Sequence, residues 1–172
     1  MSNDATPAVP STTIGRSGAR LLASRTLMRA PIWLYRARLG FLFGSRILML
    51  EHIGRKSGAK RYVVLEVLGH PSPDVYIVAS GFGERSQWFR NLVANPRVRV
   101  SVAGHVMRPA KARRLPTTEA DAALADYVHQ HPKAWAKFKN VLENTLGTTI
   151  HEQNTQLPMV ALRLDIPTTS RP

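Results

Sequence analysis

The chain has 172 residues, enough for one domain with a single core and too few for two full ones. Its 24 basic residues against 11 acidic ones give a net charge of +13, which favours an anionic partner: nucleic acid, a membrane surface or a polyanionic ligand. The absence of cysteine excludes structural disulfides, thiolate metal sites and thiol nucleophiles, and it suits a reducing, cytoplasmic setting.

Residues 1–13 are rich in Pro, Ser and Thr and read as a disordered lead-in without the basic start and apolar run of a secretion signal. Over 14–30 the pattern is that of a basic amphipathic helix. Arg16/Arg20 and Arg25/Arg29 are four apart, with Leu21, Leu22, Leu27 and Met28 between them. Such a segment either lies on an anionic membrane or packs on the domain with its arginines solvated. Pro31 suits the first turn of a second apolar helix, "PIWLYRARLGFLF", which Gly44 ends. The apolar stretch "LGFLFGSRILML" is interrupted by Arg46 and is too short for a membrane-spanning helix. The globular domain is placed at 31–166, with 167–172 as a tail.

A β-rich middle follows. "RILMLEHI", "RYVVLEVL", "VYIVAS", "RVRVSVA" and "HVMRPAKARR" are short runs rich in β-branched residues, bounded by Gly, Pro, Ser or Asp. "RVRVSV" alternates, with Val98, Val100 and Val102 on one face and Arg97, Arg99 and Ser101 on the other. Ala103-Gly104-His105 predicts a tight hairpin. "SQWFRNLVANP" predicts one short helix, stopped before Pro96. Two helices close the chain. The first begins near Thr117 or Thr118, whose hydroxyls can cap it, with Glu119 and Asp121 in the first turn. The second runs from Pro132 to Leu146 and ends at Gly147. A last strand, "MVALRLD", returns to the sheet. Strands gathered in the middle without βαβ alternation predict an antiparallel sheet or barrel with added helices, an α+β fold.

The motifs exclude more than they assign. "GRKSG" fails as a phosphate loop of the GxxxxGK[ST] type, because Arg55 stands where glycine must precede the lysine and a strand follows. Two glycines, Ser57 and the cations still fit a small anion site, and equally a solvated hairpin turn. "GFGERS" lacks the third glycine of a dinucleotide fingerprint and the acidic residue about 20 positions on. The six histidines show no HxxxH or HExxH spacing, and the serines lack a nucleophile elbow. Trp88 and Phe89 serve either the core or a ligand wall, and no named nucleic-acid module is visible. No acid–base pair, nucleophile or metal is advertised, so an enzyme of this kind borrows its chemistry from an organic cofactor.

Three stretches together carry a resemblance. "GRKSG" after an apolar strand, "YIVASGFGERSQWFRNLVANPRVRV" and the late "LPMVALRL" resemble the nitroreductase-family deazaflavin-dependent oxidoreductases of the flavin/deazaflavin superfamily. The likeness covers about 31–115 and the final strand. It implies an antiparallel split β-barrel of the FMN-binding type with flanking helices. It also implies coenzyme F420, a deazaflavin bearing a phosphate and an oligoglutamate tail, with FMN as the alternative. By carry-over, Arg55, Lys56 and Ser57 hold the phosphate, while Arg61 and Lys60 help with the tail. Val63, Val64 and Leu65 present backbone along the deazaflavin. Ala79, Ser80 and Gly81 line its other side, and Gln87, Trp88, Phe89 and Asn91 close the pocket. No residue is assigned a catalytic role, because the hydride chemistry belongs to the cofactor, and no metal is expected.

The resemblance thus implies hydride transfer from reduced F420 to an electron-poor, lipophilic acceptor such as an enone, quinone or nitro compound. A non-catalytic F420 carrier, an FMN enzyme and a basic nucleic-acid-binding protein are the other readings. One departure concerns the substrate side, which several tyrosines line in some members. Here "YVHQHPKAWAKFKN" contains only Tyr127, so no substrate pocket carries over. The basic N-terminal segment resembles the longer subgroup, some of which associates with membranes.

Overall fold

The computed structural model describes residues 45–165, apart from the side chain of Lys137. The lead-in, the helices expected over 14–44 and the C-terminal tail lie outside the described residues.

Six strands form a closed antiparallel barrel with flanking helices. In chain order they are β1 (Ile47–Ile53), β2 (Lys60–Ser72), β3 (Val75–Ala79), β4 (Arg97–Val102), β5 (His105–Arg114) and β6 (Met159–Leu164). Around the barrel the order is β1-β2-β3-β6-β5-β4, and β4 closes it by pairing with β1. The alternation read in the sequence decides what lies inside. Leu48 and Leu50 of β1, Val98, Val100 and Val102 of β4, and Val160, Leu162 and Leu164 of β6 form the buried interior. Arg97 and Arg99, one residue out of phase, are exposed. The expected β4–β5 hairpin turns on Ala103 and Gly104, both left-handed at φ 46° and 84°, with Val102 opposite His105.

Helix α1 (Gln87–Ala94) adds Trp88, Phe89 and Leu92 to that interior cluster. Asn95 and Pro96 end it where the sequence predicts. On the outside, α2 (Thr117–Gln130) and α3 (Pro132–Leu146) cover one flank of the barrel. Ala120, Ala123, Leu124 and Tyr127 of α2 and Trp135 and Leu142 of α3 pack with Leu68, Val75, Met159 and Ala161 of the strands. Pro132 opens α3, and Gly147, left-handed at φ 71°, closes it.

Three expectations change. No threonine caps α2: the chain enters the helix from Pro116 in extended conformation, so Thr117 is already inside the first turn and makes no capping bond. Asp121 likewise serves a different purpose, accepting the backbone N–H groups of Asn154 and Thr155 at 2.8 Å each. Strand β2 also outruns "RYVVLEVL". It continues to Ser72 through register shifts around Gly69, which let the long strand bend with the barrel.

Candidate functional site

The turn between β1 and β2 is folded back on itself. Gly54 N–H donates to the Ala59 carbonyl (2.9 Å), and the Gly54 carbonyl accepts from Ser57 N–H (3.2 Å) and Gly58 N–H (2.8 Å). A Cβ on Gly54 would lie 2.7 Å from Ser57 Oγ, so any other residue there would have to turn that hydroxyl away. Gly58 supplies the left-handed step at φ 64°.

That turn is bound to α1. Arg55 N–H donates to Asn91 Oδ1 at 3.1 Å, and Arg55 Nη1 donates both to Asn91 Oδ1 (3.1 Å) and to Gln87 Oε1 (3.0 Å). The other end of the Asn91 amide, Nδ2, is 3.1 Å from Nδ1 of His52. His52 and Asn91 are both buried, at 4% and 5% exposure. Burial, and secondarily the nearby Arg61 guanidinium, push the His52 imidazole down to about 4, so the ring is neutral at physiological pH.

The turn and α1 border a cavity of about 760 Å³, within the size range of small-molecule sites. Arg55, Lys56, Arg61 and Arg85 reach it, and none of the four is ion-paired among the described residues. Trp88, Val63 and the half-exposed Phe82 give it apolar walls. Tyr62 stands beside them, its hydroxyl donating to the buried Glu51 carboxylate at 2.7 Å. Arginine and lysine with no carboxylate to answer them, beside a serine hydroxyl and a flat aromatic wall, suit an anionic ligand with a ring system. The donor set therefore fits a phosphorylated deazaflavin.

Of the carried-over residues, the structure brings Arg55, Lys56, Ser57, Arg61, Val63, Gln87, Trp88 and Asn91 to this one cavity. Lys60 points instead toward Glu51, 3.8 Å away. Val64 pairs with Met49, while Phe89 belongs to the interior cluster and Leu65, partly buried, packs against it. Ala79, Ser80 and Gly81 do not border the cavity. Ser80 is fully buried, donates to the Gly83 carbonyl at 2.7 Å and lies 2.6 Å from the Ser86 hydroxyl, so it shapes the loop that carries Phe82 and Arg85. Gly81 abuts α3, where an added Cβ would meet Leu142 at 2.9 Å.

His52 and Tyr62 border the cavity although the sequence singles out neither for a pocket, and they are joined by Gly54 of the "GRKSG" turn and by Phe82, Arg85 and Ser86 of the "GFGERS" loop. "HIGRKSG" does set His52 beside the turn. Nothing in a run of alternating residues, however, shows which end of a strand faces a cavity.

Residues 27–152 match the family described as F420H(2)-dependent quinone reductase. A Mycobacterium tuberculosis protein, provisionally named an F420H(2)-dependent quinone reductase, is 39% identical over 79 residues, covering 44% of this chain and 65% of that protein. The chain thus matches just under two thirds of that relative's length. A solved structure from Agrobacterium tumefaciens, of unknown function, is similar over 80% of this chain and 56% of its own, with a TM-score of 0.51 and 18% identity. A solved F420-H2 dependent reductase aligns over 69% of this chain and 94% of its own, with a TM-score of 0.49 and 23% identity. At these identities structural likeness speaks to fold alone. The extent of the family match decides the assignment: the chain belongs to the F420H(2)-dependent quinone reductase family.

Proposed function

We propose that this protein is an F420-dependent oxidoreductase acting on a quinone or another electron-poor, lipophilic acceptor such as an enone or nitro compound. The observation that supports this most is the group of cations around the Gly54 turn that have no ion pair among the described residues and face a cavity with an aromatic wall. Reduced F420, when bound, supplies the hydride. The chain's own residues then bind and orient. Arg55, Lys56 and the Ser57 hydroxyl take the phosphate, and Arg61, with Lys60 farther out, answers the anionic tail. Trp88, Val63 and Phe82 hold the flat ring and exclude water from its face. The basic charge of residues 14–30 suits an anionic membrane surface, the setting from which a lipophilic acceptor would be drawn. Cytoplasmic residence belongs to the same proposal.

The test is a titration of the apo-protein with F420, FMN and a DNA oligomer at two salt concentrations. F420 should bind at least about tenfold more tightly than FMN, a difference of about 1.4 kcal/mol. Equal affinities, or FMN copurifying with the protein, would overturn the cofactor assignment. Tight, sequence-independent DNA binding at physiological salt would favour a nucleic-acid role instead.

A further inference from the structure

We propose that His52 is a positioning residue: through the Asn91 amide it fixes the orientation of Arg55, and thereby the protein's preference for a phosphorylated ligand. The inference rests on the phosphate role proposed above for Arg55.

Hydrogen-bond chemistry determines how the three residues are arranged. The Arg55 backbone N–H and its guanidinium Nη1 can only donate, so the Asn91 atom 3.1 Å from each must be the carbonyl oxygen. The amide is planar, and its NH2 end is then the atom 3.1 Å from His52 Nδ1. That NH2 can only donate, so Nδ1 must accept. The neutral ring therefore carries its single proton on Nε2. The low pKa set by burial and Arg61, its cross-strand partner in β2, keeps the ring in this neutral form.

The opposite tautomer would set two donors against each other. The Asn91 amide would then be driven to turn over, bringing its NH2 against two further donors on Arg55. Gln87 alone would hold the guanidinium, from an exposed position. His52 and Asn91 are buried, at 4% and 5% exposure, so a lost partner could be replaced only by water entering from the cavity that both border. The imidazole thus acts as a lock on an amide, and the amide as a lock on the cation. His52 itself need not touch the anion.

The experiment measures dissociation constants of the full chain for F420 and for the same deazaflavin lacking phosphate and tail. It compares the unmutated protein with His52→Phe, which keeps a ring but no acceptor, and His52→Asn, which keeps an oxygen near the position of Nδ1. His52→Phe should weaken F420 binding by about tenfold while changing the truncated ligand by less than about threefold. His52→Asn should restore most of the loss. Equal weakening of both ligands would mean a merely structural role and overturn the proposal, as would an unchanged F420 affinity. If the unmutated protein itself binds both ligands equally, Arg55 has no phosphate role and the inference falls with that reading. Imidazole 15N chemical shifts of the unmutated protein give an answer that does not depend on any variant folding. An Nε2–H tautomer at His52 is expected, and an Nδ1–H tautomer would overturn the proposal.

Discussion

The two sides of this barrel treat charge in opposite ways. On the flank covered by α2 and α3, polar groups find partners within the chain. Arg113 donates to Glu119 at 2.7 and 3.0 Å, Tyr127 donates to Glu66 at 3.0 Å, and Asp121 takes two backbone N–H groups of the C-terminal loop. At the cavity, Arg55 meets only neutral amides from Gln87 and Asn91, and Lys56, Arg61 and Arg85 meet no carboxylate among the described residues. The flank is a structure completed by itself. The cations at the cavity have no such carboxylate partner among the described residues, which is the pattern expected if their charge serves an anionic ligand and contributes little to folding.

The sharpest way to break that division is to injure the flank. Leu124 is fully buried between α2 and the barrel. Leu124→Ala should destabilise the protein by about 2–4 kcal/mol through lost apolar burial and the cavity left behind. Urea unfolding would measure the loss, and the F420 affinity of the remaining folded protein should be unchanged. A parallel drop in affinity would show that the two regions are coupled.

The converse change comes next in size. Arg55→Ala removes a charge that no carboxylate balances, so F420 affinity should fall by about 1.5–3 kcal/mol, roughly 10- to 150-fold. Its side-chain partners are two amides at the cavity edge, and the melting temperature should move little. Calorimetric titration and a thermal melt on the same variant separate the two effects. A large loss of stability with intact affinity would reverse the assignment of roles.

What could be read from the sequence follows from which interactions are local. Pro132 and Gly147 bound α3 because proline starts and glycine ends a helix by backbone preference alone. Val98, Val100 and Val102 face inward because strand alternation is a local property. The Gly54–Gly58 turn and its cations are equally local, and the resemblance to deazaflavin enzymes added α1 to them. Distant proximity was not legible. His52 and Asn91 are 39 positions apart and meet only because β1 and α1 converge at one end of the closed barrel. The same geometry brings Phe82 and Ser86 to the cavity and leaves Ala79–Gly81 off its lining, with Ser80 bonded behind Ser86 and Gly81 against Leu142 of α3. Thr117 failed as a cap for a subtler reason. Capping depends on the backbone conformation at the entry to the helix, and Pro116 sets that conformation one residue earlier than composition suggested.

The two regions should also differ in their response to acid. His52 is held neutral, at about 4 against an ordinary value of 6.5. Between these values the unfolded chain binds a proton that the folded chain refuses, so stability rises with pH across the window. Its contribution is complete above about 6.5 and is lost as pH falls toward 4. The loss should be on the order of 1–2 kcal/mol, less than the full shift would give because the ring borders an open cavity. Comparing unfolding at pH 7 and pH 4.5 in the unmutated protein and in His52→Asn isolates the term. An identical pH response in both would mean that His52 titrates normally. Arg61 shares the responsibility in a smaller part, and Arg61→Gln should raise the imidazole value only modestly, since burial is the larger cause.

The smallest effect belongs to the flank's most visible ion pair. Arg113 and Glu119 make a two-bond contact that holds the Glu119 carboxyl below its ordinary range and the Arg113 guanidinium above its own, chiefly through the hydrogen bonds between them. By sign, the carboxyl's contribution is present above its unfolded value and lost as pH falls through the lower folded one. Both side chains are open to water, however, at 57% and 48% exposure, so solvent and salt screen the attraction. Arg113→Gln should therefore shift the melting temperature by no more than about 2 °C, and 1 M salt should erase even that difference. F420 affinity should not change, because Arg113 does not border the cavity. A larger, salt-insensitive loss would mean that paired charge on the flank supports the fold directly. The contrast with Arg55 would then be one of location only, and compensation would no longer distinguish a structural cation from a ligand-binding one.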